Sequence, residues 1–141
     1  MKQESSNMQI QPYLFFEGRA DEAIAFYEKT LGAKLIMRVR FKDNPDGAPP
    51  NPAIAENVMH ARLQIGDSTL LLSDGHGAEG PRFQGFSLTL SVADDGEVDR
   101  LFAALSEGGS VMQAPTKTFF SPRFAMATDR FGVLWIILVE H

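Results

Sequence analysis

The hydrophobic and polar positions of this chain switch between two periods. "MQIQPYLFF" (8–16) alternates and ends in aromatics, so it predicts a strand. In "ADEAIAFYEKTLG" the apolar Ala20, Ala23, Ile24, Tyr27 and Leu31 fall at helical spacing. Asp21 and Glu22 suit the first turn of that helix, and Gly32 suits its left-handed stop. "AKLIMRVRF" returns to strand. "VMHARLQI" (58–65) and "STLLLSD" (68–74) then predict a hairpin around Gly66-Asp67, with glycine where a type II′ turn needs it. The second half repeats the order. "FSLTLSV" (86–92) is a strand, and Val98, Leu101, Phe102 and Leu105 make one stripe of a helix stopped by Gly108-Gly109. "SVMQA", "FAMAT" and "VLWIILV" are three more strands, the last two joined by "DRFG".

The intervening segments are polar. Residues 42–57 carry four prolines and form a loop long enough to be a lid or a disordered stretch. "GHGAEGPR" links the halves, and "PTKTFFSPR" is a second loop. The 141 residues fit one ordinary domain, and the net charge of −5 lacks the basic field that a nucleic-acid surface needs. Cysteine is absent, which excludes disulfides, thiolate metal sites and a cysteine nucleophile. The polar start "MKQESSNMQ" has no signal-peptide core, and the longest apolar run, "VLWIILV", is too short to span a membrane. A cytoplasmic, bacterial protein with no membrane or nucleic-acid partner is the expectation. No G-x-S-x-G, P-loop, dinucleotide fingerprint or H-E-x-x-H is present.

Strand parity then sorts residues onto faces. A two-residue turn at Gly66-Asp67 pairs Ile65 with Ser68, Gln64 with Thr69, Arg62 with Leu71 and His60 with Ser73. One face of the hairpin is therefore His60, Arg62, Gln64, Thr69, Leu71 and Ser73. The other is Met59, Ala61, Leu63, Ile65, Leu70 and Leu72, and it packs under a helix. Ser87, Thr89 and Ser91 share a face of their strand, as do Gln9, Gln11 and Tyr13 of theirs. Three polar faces point to a wet, ligand-sized cavity.

Laid over each other, "FEGRADEAIAFYEKTLGAKLI" and "VADDGEVDRLFAALSEGGSVM" place Phe26 on Phe102, Gly32 on Gly108 and Leu35 on Val111. This is an internal repeat of βαβββ units. With "PYLFFEGRADEAIAFYEKTLGAKL", "MHARLQIGDSTLLLSD" and "TDRFGVLWIIL", it resembles the PhnB-like branch of the vicinal oxygen chelate superfamily, which includes glyoxalase I, extradiol dioxygenases and bleomycin-resistance proteins. The resemblance covers nearly the whole chain. It implies an α+β fold, in which two paired βαβββ modules form a curled, partly closed mixed sheet around one cavity, with helices on the convex face. Module one would span about 8–76 and module two about 84–139 of a single domain over 1–141. It also implies a homodimer, which half-barrel edges favour. Members of the branch often carry a demethylubiquinone methyltransferase label, but no glycine-rich strand-turn-helix for a methyl donor is visible.

In metal-dependent members of the superfamily, four strands each supply one His, Gln or Glu. The matching positions resemble Gln11, Leu71, Ser87 and Ile136. Two of these have no donor atom, so no metal and no other cofactor is expected. A divalent metal returns only if the strand register is wrong. His60 is then the candidate catalytic residue, for proton transfer or an anion contact, or else a rim histidine bonded to solvent or Ser73. If "DRFG" leaves Thr128 beside Val133, Arg123 takes the place that His60 has in the first half. Arg62 and Arg123 are candidate anion clamps, or solvated rim arginines. Phe119 or Phe120 offers an aromatic wall or core packing. Gln11, Tyr13, Ser73 and Ser87 complete the candidate ligand contacts. Trp135 packs against a helix by parity, Asp129 is structural in its turn, and Asp74 caps its own "SDGHG" turn. His76 and His141 carry no predicted role. The expected activity is binding of a small polar or anionic molecule, or a lyase, isomerase or oxygenase reaction.

Overall fold

The computed structural model describes residues 8–46, 52–75 and 82–140. His76, His141 and the middle of the proline-rich loop, residues 47–51, lie outside them. The element order is β1 (Tyr13–Phe15), α1 (Ala20–Leu31), β2 (Lys34–Arg40), β3 (Val58–Ile65), β4 (Ser68–Ser73), then β5 (Leu88–Val92), α2 (Asp95–Ser106), β6 (Ser110–Thr116), β7 (Phe124–Thr128) and β8 (Leu134–Val139). The fold is α+β. The chain forms two compact units, the first with β1–β4 and α1 through Glu28, the second with β5–β8 and α2. Each has one four-stranded mixed sheet, ordered β1-β4-β3-β2 and β5-β8-β7-β6. The first strand of each runs parallel to the last, and the others are antiparallel. The βαβββ order therefore repeats, as the pattern predicts. No helix among the described residues is long and apolar enough to cross a membrane.

In the first unit the apolar parity is buried. Ala61, Leu63, Leu70 and Leu72 are shielded from solvent. On α1, so are Ala20, Ala23, Ile24 and Tyr27. Burial of each large aliphatic contributes about 1.5–3 kcal/mol, which sets the register of the hairpin. Gly66 has φ +57 while Asp67 does not have positive φ, as a type II′ turn requires. The predicted pairs from Ile65–Ser68 to Arg62–Leu71 are present.

Four expectations change. β1 is short. Pro12 has no N–H for the ladder, and it restricts Gln11, so the alternation of 8–12 does not become strand. Ile10 is 99% exposed in consequence. Second, β3 carries an extra residue at Met59. Val39 pairs with His60 but Arg40 with Val58, and on the other side the Asp74 N–H bonds the Val58 carbonyl at 2.8 Å. This bulge turns Val58 into the core while His60, two residues on, keeps to the other face. The predicted His60–Ser73 pair is lost with it. Third, the long loop is tied at its base. Short 3-10 turns at Phe41–Asp43 and Pro52–Ile54 bury Phe41 and Ile54. Phe41 N–H bonds Asn57 O, and Lys42 N–H bonds Ala55 O. Among the described residues these bonds and buried side chains hold the two flanks of the loop together.

Fourth, "DRFG" makes a shorter turn than expected. Asp129 N–H bonds Val133 O at 2.9 Å, so the loop is only Arg130-Phe131-Gly132, with Gly132 at φ +93. The pairing becomes Thr128–Leu134, Ala127–Trp135, Met126–Ile136 and Ala125–Ile137. One residue of slip moves every β7 side chain to the other face. Ala125 and Ala127 join Trp135 and Ile137 in the buried layer, and α2 packs on these strands. Trp135 therefore lies in the core, as its parity predicts. Phe102 is only half-buried, whereas Phe26 is buried.

Candidate functional site

The helix-bearing face of the first sheet is locked by polar contacts. Arg38 and Arg40 of β2 reach Asp21 of α1 at 3.0 and 2.8 Å. Hydrogen bonding from Arg40, with the charges of both arginines, holds the Asp21 carboxyl below the usual range. α1 follows Arg19, an N-cap residue that supplies no side-chain cap. The start of the helix is held from elsewhere: buried Asp74 accepts from Gly18 N–H, just before the helix, at 2.7 Å and from Ala20 N–H at 2.8 Å, and its second oxygen accepts from Val58 N–H of β3 at 2.8 Å. Asp74 thus caps a helix 54 residues away instead of its own turn.

The opposite face stays open. Tyr13, Leu71, Arg62 and Met37 lie in one row across the four strands. His60 sits beside this row, and the Tyr13 hydroxyl meets its Nδ1 at 2.7 Å. The Tyr13 ring stacks on Phe15 with centroids 5.0 Å apart and planes within 9°. It also lies 5.5 Å from the His60 ring. Partial burial raises the Tyr13 phenol above its ordinary value, so it is a neutral hydroxyl near pH 7. Arg62 is exposed on the same face.

The other candidates are placed differently. Ser73 is buried, and its Oγ donates to Val58 O at 3.3 Å and accepts from Gly75 N–H at 2.9 Å, so its hydroxyl serves the chain and not the open face. Gln11 precedes β1 and donates to Gln9 at 2.8 Å. Arg123 does not become a partner of Arg62. The register of β7 puts it on the α2 side, where its guanidinium holds both Asp99 oxygens at 2.8 and 3.1 Å. That hydrogen bonding raises the Arg123 guanidinium further above neutrality. Ser87 is half-buried, one residue before β5. Phe120 meets Phe119 and Phe124 edge to face, with centroids at 5.1 and 5.5 Å. Asp129 is buried and accepts from Phe131 and Val133 N–H and from the Trp135 indole at 2.8 Å, a structural role. The Tyr13–Phe15 pair escapes a reading by single residues, although two aromatics at i and i+2 of a strand always share a face.

The superfamily's metal does not fit these residues. Leu71 sits between Tyr13 and Arg62, and Ile136 between Thr89 and Met126. Neither has a donor atom. Among the described residues no group of three or more His, Asp or Glu is arranged to hold a metal ion.

A family model described as 3-demethylubiquinone-9 3-methyltransferase matches residues 8–138. Protein YjdN of Escherichia coli is 34% identical, covering 94% of this chain and 95% of its own. The crystal structure of protein PA1353 from Pseudomonas aeruginosa is 41% identical with a TM-score of 0.85, covering 95% of this chain and 98% of that one. A PhnB protein from Bacillus cereus shares the fold at 23% identity and a TM-score of 0.76, over 94% and 99% of the two chains. A glyoxalase/bleomycin resistance protein/dioxygenase family enzyme from Burkholderia phytofirmans shares it at 17% and 0.60, over 94% and 96%.

Proposed function

Because this chain belongs to the family described as 3-demethylubiquinone-9 3-methyltransferase, in the PhnB-like branch of the vicinal oxygen chelate superfamily, we propose that it binds a small polar or anionic molecule without the superfamily's metal. The site is the open face of the first sheet. The observation that carries this reading is the Tyr13–His60 bond beside Arg62. A bonded imidazole has a held orientation, and a guanidinium offers a planar fork of donors to an anion. Methyl transfer is not carried over from the family description. Gly18 N–H, in the turn between β1 and α1, is already bonded to Asp74, and no glycine-rich turn follows a strand there to cradle a nucleotide-like donor.

A second reading is a lyase, isomerase or oxygenase that acts through His60. The same hydrogen bond favours it, since a general acid or base must be aimed at its substrate. Turnover lost in His60→Ala with ligand binding retained supports the enzyme; loss of binding alone supports the binding protein. The edge strands β2 and β6 expose Ile36, Met37, Val111 and Met112, and we propose that a second copy covers such edges in a homodimer. We place the protein in the bacterial cytoplasm.

Metal content tests the main reading. Protein purified without a tag or chelator is incubated with Zn²⁺, Ni²⁺, Mn²⁺ or Fe²⁺ and analysed for bound element. Less than about a tenth of an equivalent is expected, because one competent ligand does not retain a divalent ion. Near-stoichiometric metal sinks the metal-free reading.

A further inference from the structure

We propose that the open face of the first sheet takes a planar aromatic carboxylate, its ring on the Tyr13–Phe15 stack and its carboxylate between Arg62 and Nε2–H of His60. This inference rests on the ligand site proposed above and names its ligand class.

The charge distribution gives the sign. The chain carries a net charge of −5, yet β1, β2, β3 and β4 contain no Asp or Glu. The strand cations divide between the two faces. Arg38 and Arg40, on the helix side, both pair with Asp21. Arg62 is on the open side, and Lys34, opposite Gln64, shares that face. Neither has a carboxylate partner among the described residues. An anion from outside meets two cations and no acid from these four strands.

The ring contacts give the shape. Tyr13 and Phe15 remain 37% and 48% exposed although they stack flat on each other. Two parallel rings with solvent-facing surface make a platform for a third planar group, since offset stacking is favoured beyond the area it buries. Leu71 lies in the row between Tyr13 and Arg62, so the strip from platform to cation is apolar. Two inter-strand steps of about 4.8 Å separate the Tyr13 and Arg62 backbones, a span that an arenecarboxylate and an arginine side chain bridge together.

The proton on His60 decides its part. A phenol and an imidazole nitrogen in contact share one hydrogen, and the imidazole tautomer decides which of them donates. Among the described residues Tyr13 Oη meets Nδ1 of His60. A carboxylate at Nε2 selects the tautomer with its hydrogen there, in which the Tyr13 hydroxyl donates to Nδ1. Tyr13 is thus both platform and positioning residue.

The test is an NMR titration of the full chain with benzoate, cyclohexanecarboxylate, benzamide and inorganic phosphate at millimolar concentration. The His60 ring nitrogens and the amides of β1 and β3 are followed. Benzoate is expected to bind tightest. Arg62→Met, which keeps the apolar stem, is expected to weaken it about tenfold or more with an unchanged thermal midpoint. Tyr13→Phe is expected to weaken it severalfold and to redistribute the His60 tautomers, a change that lost packing alone does not produce. Equal binding of benzamide overturns the carboxylate, and equal binding of cyclohexanecarboxylate overturns the ring. Phosphate binding at Arg62 with no benzoate binding overturns this inference but leaves the anion site standing. No response on this face to any of the anions overturns both.

Discussion

Three aspartates tie parts of this protein together, and each does it differently. Asp74 satisfies three backbone donors with two oxygens, all within 2.8 Å. Each donor left buried without a partner costs about 1–3 kcal/mol. Asp74→Ala is therefore expected to lose roughly 3 kcal/mol or more in urea unfolding, and a loss below about 1 kcal/mol contradicts the capping role. Asp129 binds the indole of the only tryptophan. Trp135 emission then reports on that buried bond, and Asp129→Ala is expected to shift the native spectrum while leaving the unfolded spectrum alone. Asp21 is half-exposed and bridges two arginines. Its carboxyl is held below its unfolded value of about 3.9, so its contribution is present above that pH and is lost as pH falls through the lower folded value. The stability gap between wild type and Asp21→Asn is expected to be small at pH 6 and to close below about pH 4; a gap that widens in acid rules this out.

At the scale of elements, two glycines decide where strands meet. Gly132 at φ +93 closes a three-residue turn and so sets which side of β7 faces α2. Gly109 lies so close to the end of β7 that a Cβ there would collide with the Thr128 carbonyl. Gly109→Ala is expected to cost about 1–3 kcal/mol, because backbone must move to make room. Gly66→Ala, where nothing lies within 4 Å of an added Cβ, separates φ strain from collision and is expected to cost less. An equal thermal shift for the two variants counts against the close approach. The bulge at Met59 works on the same scale: one inserted residue lets Val58 join the core without taking His60 with it.

For the whole molecule, the exposed apolar edges bear on assembly. Ile36, Met37, Val111 and Met112 each keep 39–58% of their surface in water. A homodimer is the expected state in light scattering, and Met112→Lys on the edge strand β6 is expected to shift it toward monomer; an unchanged mass places the interface elsewhere. Much of this architecture was legible beforehand. Period and turn residues determined the βαβββ repeat, the type II′ hairpin and the pairing of Arg62 with Leu71, because local sterics and apolar alternation act over a few residues. They also put His60, Arg62 and Tyr13 on polar faces. Tertiary structure decided the rest. Whether "DRFG" closes over three residues or four depends on Asp129 finding buried donors, including an indole six positions on. That choice took Arg123 away from the open face and gave it to Asp99 on α2. Asp74 reached α1 across 54 residues, and Tyr13 met His60 across 47. Periodicity reports only which side of its own element a residue faces. Which partner waits on that side is set by packing between elements distant in sequence, and that is where hydrogen bonds and ion pairs are won or lost.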